Sequence, residues 1–288
     1  MDSLDLVSPY LFKHRRRNFL VKDKMRPADL DALHHFETRP TDIFLVTYPK
    51  SGQSSGHYLY SFLALNCFPA YNKLFMTHVP WLEERYVDNP SRERPDPRIF
   101  GSHLPPDMLP RGVKANRIKV VYVWRNPKDI LVSLYHFSHV WVLLETPQSF
   151  EGFFQQFLDG DGKFSILWGH LSVSEEKYRT ENQTLLFFNL SDLRGEVVKL
   201  CAFLEKDLTD EAVDCVVEAS TFKSMKTNPK ANYKDLVETG RYKGETMRKG
   251  VAGDWKNLFT VAQNEHFDKV LKEKMSNLAL TCVWEIKE

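Results

Sequence analysis

The sequence predicts an α/β fold: a single domain with a mostly parallel central sheet, flanking helices and a P-loop-like anion-binding loop. Three observations predict it. Apolar runs of strand length recur at residues 43–47, 98–101, 119–124 and 184–188. Helical stretches lie between and after them, starting near Ser54, Asp129, Ser149, Arg194, Asp210 and Asn264. Such alternation implies parallel strands with helices on both faces. The first strand runs straight into a Pro-Lys-Ser-Gly turn followed by a helix start, the local geometry that gathers backbone N–H groups around an anion.

Composition bounds the rest. The chain has 288 residues, enough for one large α/β domain or two small ones. We expect residues 1–39 to be an N-terminal segment packing on a domain of residues 40–288. Lys and Arg total 39 against 38 Asp and Glu, a net charge of +1. That balance disfavours nucleic acid or a membrane surface as partner. Cys67, Cys201, Cys215 and Cys282 form no CxxC pair, and the first twenty residues lack a signal-peptide apolar run. Reduced thiols and a cytoplasmic location are therefore expected, without a transmembrane helix. The basic run 14–17 reads as solvated surface.

The elements follow in order. Residues 43–56, IFLVTYPKSGQSSG, give strand, tight loop and helix start. Lys50 adds a full positive charge, and Ser51, Ser54 and Ser55 add hydroxyl donors. A phosphate or a sulfate ester suits this loop. An incidental lysine after a strand is the competing reading. The nucleotide-triphosphate motif is excluded, because its lysine must follow the glycine. Residues 86–98 carry three prolines and read as loop. His103 follows the second strand and precedes Pro105-Pro106, at a loop mouth where a near-neutral base could take a proton. Most of the ten histidines must be structural or solvated, so position alone does not decide.

Residues 120–137, VVYVWRNPKDILVSLYHF, end a strand at Trp124 and open a helix at Pro127. Arg125 stands at the strand's carboxyl end, where α/β sheets bind ligands. Asp129 suits the positive end of the helix, and Ser133 adds a hydroxyl. Arg125 can grip a phosphate with two donors, or can simply pair with a carboxylate. Residues 226–256 hold four glycines and many cations with little periodicity. Arg248 and Lys249 before Gly250 make a compact cationic tip, either a lid over an anion or an exposed turn. No His/Cys cluster has metal-ligand spacing.

Together these segments resemble the cytosolic sulfotransferases. That family carries a TYPKSG loop, a histidine before Leu-Pro, an RNPKD segment with a serine eight residues after the arginine, and RKG followed by GDW. Here they are residues 47–52, 103–105, 125–129 with Ser133, and 248–255, in the family's order. Lys256, Thr260, Val261 and Glu265 match the family's short dimer-contact motif. The resemblance covers about residues 40–288.

It implies transfer of a sulfuryl group from 3′-phosphoadenosine 5′-phosphosulfate (PAPS) to a hydroxyl or amine of a small, largely apolar acceptor, with no metal. Lys50, Ser51, Gly52, Gln53, Ser54 and Ser55 would hold the 5′-phosphosulfate, and Lys50 would also be catalytic. Arg125, Ser133, Arg248, Lys249 and Gly250, with Met247 beside them, would hold the 3′-phosphate. Ser220, Thr221, Phe222 and Met225 would contact adenine. His103 would be the general base. A homodimer through the 256–265 motif is implied too.

The chain departs from the family in places. Gln53, Ser54 and Ser55 stand where two threonines and a tryptophan are usual. Gly101 replaces a lysine found in many members, and Leu190 stands in a tyrosine's place. Each lost polar contact weakens donor binding by about 0.5–1.5 kcal/mol. A weak or inactive nucleotide-binding relative on the same fold is therefore the alternative expectation.

Overall fold

Side-chain alternation along the strands sets the architecture. The computed structural model describes residues 5–21, 25–52, 79–84, 94–115, 118–160, 184–189, 192–229 and 231–275. Gln53, Ser54, Ser55, Leu190, the helix expected from Ser54 and most of the 86–98 loop lie outside them. Four parallel strands form the central sheet: β4 (Ile43–Thr47), β5 (Ile99–Ser102), β6 (Lys119–Trp124) and β7 (Thr184–Asn189). Their order is β5-β4-β6-β7. Phe44 lies opposite both Phe100 and Val120.

Each strand serves two cores, as its period of two requires. Phe44, Val46, Phe100, Val120, Tyr122 and Trp124 face one cluster. Ile43, Leu45, Ile99, Val121 and Val123 face the other. The strands run the same way, but the order in which they are added reverses between β4 and β6. Such a switch point is where open α/β sheets bind ligands, beyond the carboxyl ends of the strands. The Lys50 loop leaves β4 there and Arg125 leaves β6.

Helices cover both faces. On the first, α3 (Pro127–Ser138) starts with Asn126, whose side chain accepts from the Lys128 N–H. Next, α4 (Phe150–Asp159) is capped by Ser149 and buries Phe153, Phe154, Phe157 and Leu158, one stripe at helical spacing. Phe267 of α9 (Val261–Met275) joins the same core. On the other face, α5 (Leu193–Phe203) presents Val197, Leu200 and Cys201, and α6 (Asp210–Ser220) presents Val213 and Val216. Short helices α1 (Pro27–Ala32), α2 (Arg111–Ala115), α7 (Phe222–Thr227) and α8 (Lys234–Glu238) are the other α-helices among the described residues.

Several expectations shift. The strand expected over 98–101 runs one residue later, and β7 extends to Asn189. The helix expected near Asp129 begins at Pro127, because Asn126 caps it. That expected near Arg194 begins at Leu193, capped by Asp192. That expected near Asn264 begins at Val261. Thr260 and Gln263 form a reciprocal capping box there: the Gln263 N–H donates to Thr260 Oγ1, and the Thr260 N–H donates to Gln263 Oε1. The irregular stretch 226–256 includes helix α8.

No strand was expected before residue 43. The structure has an antiparallel meander there: β1 (Leu6–Ser8), β2 (Leu11–His14) and β3 (Arg17–Leu20). The basic run 14–17 is its second turn, and Arg15 and Arg16 both adopt positive φ. Phe12 and Phe19 enter the first core cluster. Leu11 and Leu20 pack on Leu144, with Phe137 and Trp141 against them.

One buried ion pair ties the entry of the domain to β5. Arg98 reaches Asp42 through two bonds, Nε to Oδ1 at 2.7 Å and Nη2 to Oδ2 at 2.6 Å. The guanidinium also lies over the Phe36 and Phe100 rings.

Candidate active site

The loop after β4 is built to display its backbone. Lys50 and Gly52 take positive φ, and the Ser51 N–H closes a turn onto the Tyr48 carbonyl at 3.1 Å. Ser51 is buried. Gly52 suits the left-handed conformation, whereas Lys50 holds it at a cost of about 1 kcal/mol. Arg125 braces this loop: its Nη1 donates to the Lys50 carbonyl at 3.1 Å. The guanidinium has five donors, so that bond uses one.

Three cations from distant stretches share one electrostatic field. Lys50 is pushed down from its ordinary value to about 8, first by burial and then by Arg125 and Arg248. Burial also lowers Arg125, with Asp129 acting against the shift and Arg248 adding to it. His136, one helical turn beyond Ser133, is lowered by burial and by Arg248. The Lys50 Nζ sits 4.2 Å from the centre of the Phe137 ring, whose face partly replaces lost hydration. An anion binding among these groups relieves their mutual repulsion.

His103 is oriented from three sides. Its Nδ1 lies 2.7 Å from the Thr47 carbonyl oxygen. A carbonyl only accepts, so Nδ1 carries the hydrogen and Nε2 the lone pair. The His103 N–H donates to Glu83 Oε1 at 2.8 Å, and Ser102 Oγ donates to Glu83 Oε2 at 3.0 Å. The Trp81 ring lies 4.5 Å from the imidazole at 33°. The Trp81–Glu84 segment reaches this place because Trp81 bridges to Gly101 and the Gly101 N–H donates to the Pro80 carbonyl. Gly101 thus lies within the sheet beside the histidine.

The cationic tip folds back onto α3. Arg248 and Lys249 both donate to the buried Asp254 carboxylate, which also accepts from Asn257 at 2.8 Å. Asp129 accepts from the Gly253 N–H at 2.8 Å and the Trp255 N–H at 3.1 Å. Asp129 therefore does more than favour the helix dipole: it fastens the loop. Gly250 has φ of 73°, and a Cβ there would meet Phe222 Cγ at 2.1 Å. The Phe222 ring lies directly over this glycine.

The remaining expected residues divide between the interior and the surface. Thr221 caps α7, accepting from the Ser224 N–H. Ser220 is buried, and its Oγ has no hydrogen-bond partner. Such a group costs free energy unless something pairs with it, so Ser220 fits a polar ligand. Met225 is buried in a small cluster with Ala231, against which Met247 packs. Ser133 is half-buried on α3. Lys256, Thr260, Val261 and Glu265 are exposed, Val261 at 75%. The sequence argument missed Glu83, Asp254 and Phe137. Asp254 carried the only available signal, an acid in the same short loop as two cations. Among the described residues, no group of His, Cys, Asp and Glu is placed to hold a metal ion, and no helix is long and apolar enough to cross a membrane.

Comparison with known proteins identifies the family. Residues 40–279 match the family model described as sulfotransferase domain. A rabbit (Oryctolagus cuniculus) amine sulfotransferase is 37% identical over 296 residues, covering 99% of this chain and 97% of the relative. A guinea-pig (Cavia porcellus) 3-beta-hydroxysteroid sulfotransferase is 35% identical over 277 residues, covering 93% and 90%. A mouse sulfotransferase solved in complex with PAP aligns with a TM-score of 0.77 at 29% identity, covering 93% of this chain and 96% of that one. With a parallel sheet, Lys50 and Arg125 beyond the carboxyl ends of adjacent strands, and matches along nearly its whole length, the chain belongs to the sulfotransferase family.

Proposed function

We propose that the protein transfers a sulfuryl group from PAPS to a hydroxyl or amine of a small, largely apolar acceptor. One observation carries this reading. Arg125 and Arg248, far from Lys50 in sequence, lie close enough to lower its basicity, and Arg248 also lowers that of Arg125. Such crowding suits a donor carrying phosphate at both ends of its ribose. The relatives' names and the PAP-bound neighbour support the donor class.

PAPS is a substrate here, and the chain's task is to position it and neutralise its oxygens. Lys50 to Gly52, with Gln53, Ser54 and Ser55 beyond the described residues, are assigned to the 5′-phosphosulfate. Arg125, Ser133, Arg248, Lys249 and Gly250 are assigned to the 3′-phosphate, with Met247 behind them. Ser220, Thr221, Phe222 and Met225 are assigned to adenine. In transfer, the acceptor oxygen or nitrogen bonds to sulfur, the sulfur–oxygen bond to phosphate breaks, and His103 Nε2 takes the acceptor's proton. Lys50 offsets the charge left on the phosphate oxygen.

Residues 1–39 belong to this reading as a segment packing on the 40–288 domain. Cytoplasmic residence and a homodimer through Lys256, Thr260, Val261 and Glu265 belong to it as well. Val261→Glu should shift a dimer to monomer in sedimentation.

Titration with 3′,5′-adenosine bisphosphate (PAP) tests the nucleotide site, and absence of heat at high micromolar concentration refutes it. A sulfate-transfer assay on phenols and amines separates enzyme from inactive binder. His103→Ala should lower turnover by about 10²–10⁴-fold with PAP binding intact. Unchanged turnover removes His103 as base.

A further inference from the structure

Arg248 and Lys249 are not independent cations on a loop. One buried carboxylate, Asp254, takes a donor from each and a third from Asn257. Burial opposes its charge, yet the bonds from Lys249, Arg248 and Asn257 hold its carboxyl down to about 2. It therefore stays ionised throughout the neutral range. The residues on either side of it, Gly253 and Trp255, give their N–H groups to the two oxygens of Asp129. Asp129 is itself buried in the first turn of α3, the helix that carries Ser133 and begins two residues after Arg125.

This two-carboxylate arrangement solves a specific problem. The 248–253 loop contains Gly250 and Gly253, both at positive φ, and Arg and Lys have long flexible stems. Such side chains lose much rotamer freedom when they grip an anion. A shared carboxylate spends that freedom before the anion arrives and sets the two heads side by side. Groups behind the contacting side chains act in this way at other charged sites.

We propose that Asp254 is a positioning residue: it fixes Arg248 and Lys249 as one paired anchor, and so sets how strongly the enzyme prefers nucleotides that carry a 3′-phosphate. This rests on the assignment of those two cations to the 3′-phosphate. Asp254 touches neither donor nor acceptor, and Asp129 holds it in place through the backbone.

The test measures affinity for PAP and for 5′-AMP, which lacks the 3′-phosphate, by titration calorimetry. The proteins are the full-length wild type, Asp254→Ala and Asp254→Asn, with thermal melts alongside. Wild type should prefer PAP. Asp254→Ala should lose about tenfold of that preference while binding 5′-AMP as wild type does. Asp254→Asn should fall between, since its one carbonyl oxygen still accepts from Lys249 while its amide meets the Arg248 donors. The near-isosteric Asn variant carries the test if the Ala variant does not fold. A preference unchanged or raised in a folded variant overturns the proposal, because Asp254 would then be a bystander or a competitor of the phosphate. Equal losses for both nucleotides also overturn it, since they report a general structural role. A wild type that does not discriminate removes the 3′-phosphate assignment itself.

Discussion

Lys50 should make donor binding pH-dependent, with a sign fixed by its surroundings. Burial, Arg125 and Arg248 lower it from 10.5 to about 8. A phosphate placed beside it favours the charged form and returns it towards its ordinary value. Binding then takes up a proton wherever the empty site has released one. If only the charged form binds well, affinity follows the protonated fraction, which falls about tenfold between about pH 7 and about pH 9. Full restoration of the ordinary value corresponds to a coupling limit of about 3 kcal/mol. The nucleotide's own phosphates, with a second ionisation near about 6, stay ionised over this range. Calorimetry with PAP in two buffers of different ionisation enthalpy reads the proton count, about one per site at about pH 9 and about 0.1 at about pH 7. Lys50→Met should bind more weakly and show a flat profile. The fold responds in the opposite sense: between pH about 8 and 10.5 the unfolded chain holds the proton that the native chain has lost, so this group adds stability as pH rises. Constant affinity with no proton uptake in wild type would refute the coupling of Lys50 to the bound anion.

Three further outcomes follow from contacts already described. Gly250→Ala should drive the Phe222 ring away and strain a positive-φ position, weakening PAP binding by at least about 1–2 kcal/mol in calorimetry with only a small fall in melting temperature. Arg98→Met should cost about 3–5 kcal/mol of stability in denaturant titration, because Asp42 keeps a buried charge, and adding Asp42→Leu should recover much of the loss. Glu83→Ala should lower kcat by about tenfold at unchanged PAP affinity, since the His103 N–H and the Ser102 hydroxyl lose their acceptor; equal turnover in steady-state assays would remove Glu83 from the support of His103.

The sheet was readable where composition was sharp. Residues 43–47 and 119–124 are apolar, rich in branched or aromatic side chains and closed by turn residues, and the strands occupy those positions. Ser149 and Thr209 stand directly before their helices as hydroxyl caps, so the α4 and α6 starts were visible. The N-terminal meander was not visible. Its second turn uses Arg15 and Arg16 at positive φ, where Asn or Gly is usual, and tertiary packing of Phe12 and Phe19 overrides that preference. The capping box at Thr260 and Gln263 was present in the sequence and places the start of α9 three residues earlier than the apolar period alone. At the site, the cations stood out through the family resemblance, but their organisation did not. Asp254 acts through a six-residue fold-back, and Glu83 acts across twenty residues on His103. Neither separation has a periodic signature.

The cluster of Leu11, Leu20 and Leu144 gives the N-terminal meander leverage over chemistry it does not touch. Phe137 and Trp141 pack on those leucines, and the Phe137 ring also carries the Lys50 ammonium. A change of volume at Leu11 or Leu20 therefore bears, through the Phe137 ring, on the charge proposed to steady the departing phosphate. Drift in an outlying hairpin can retune the reaction centre while every motif residue stays the same.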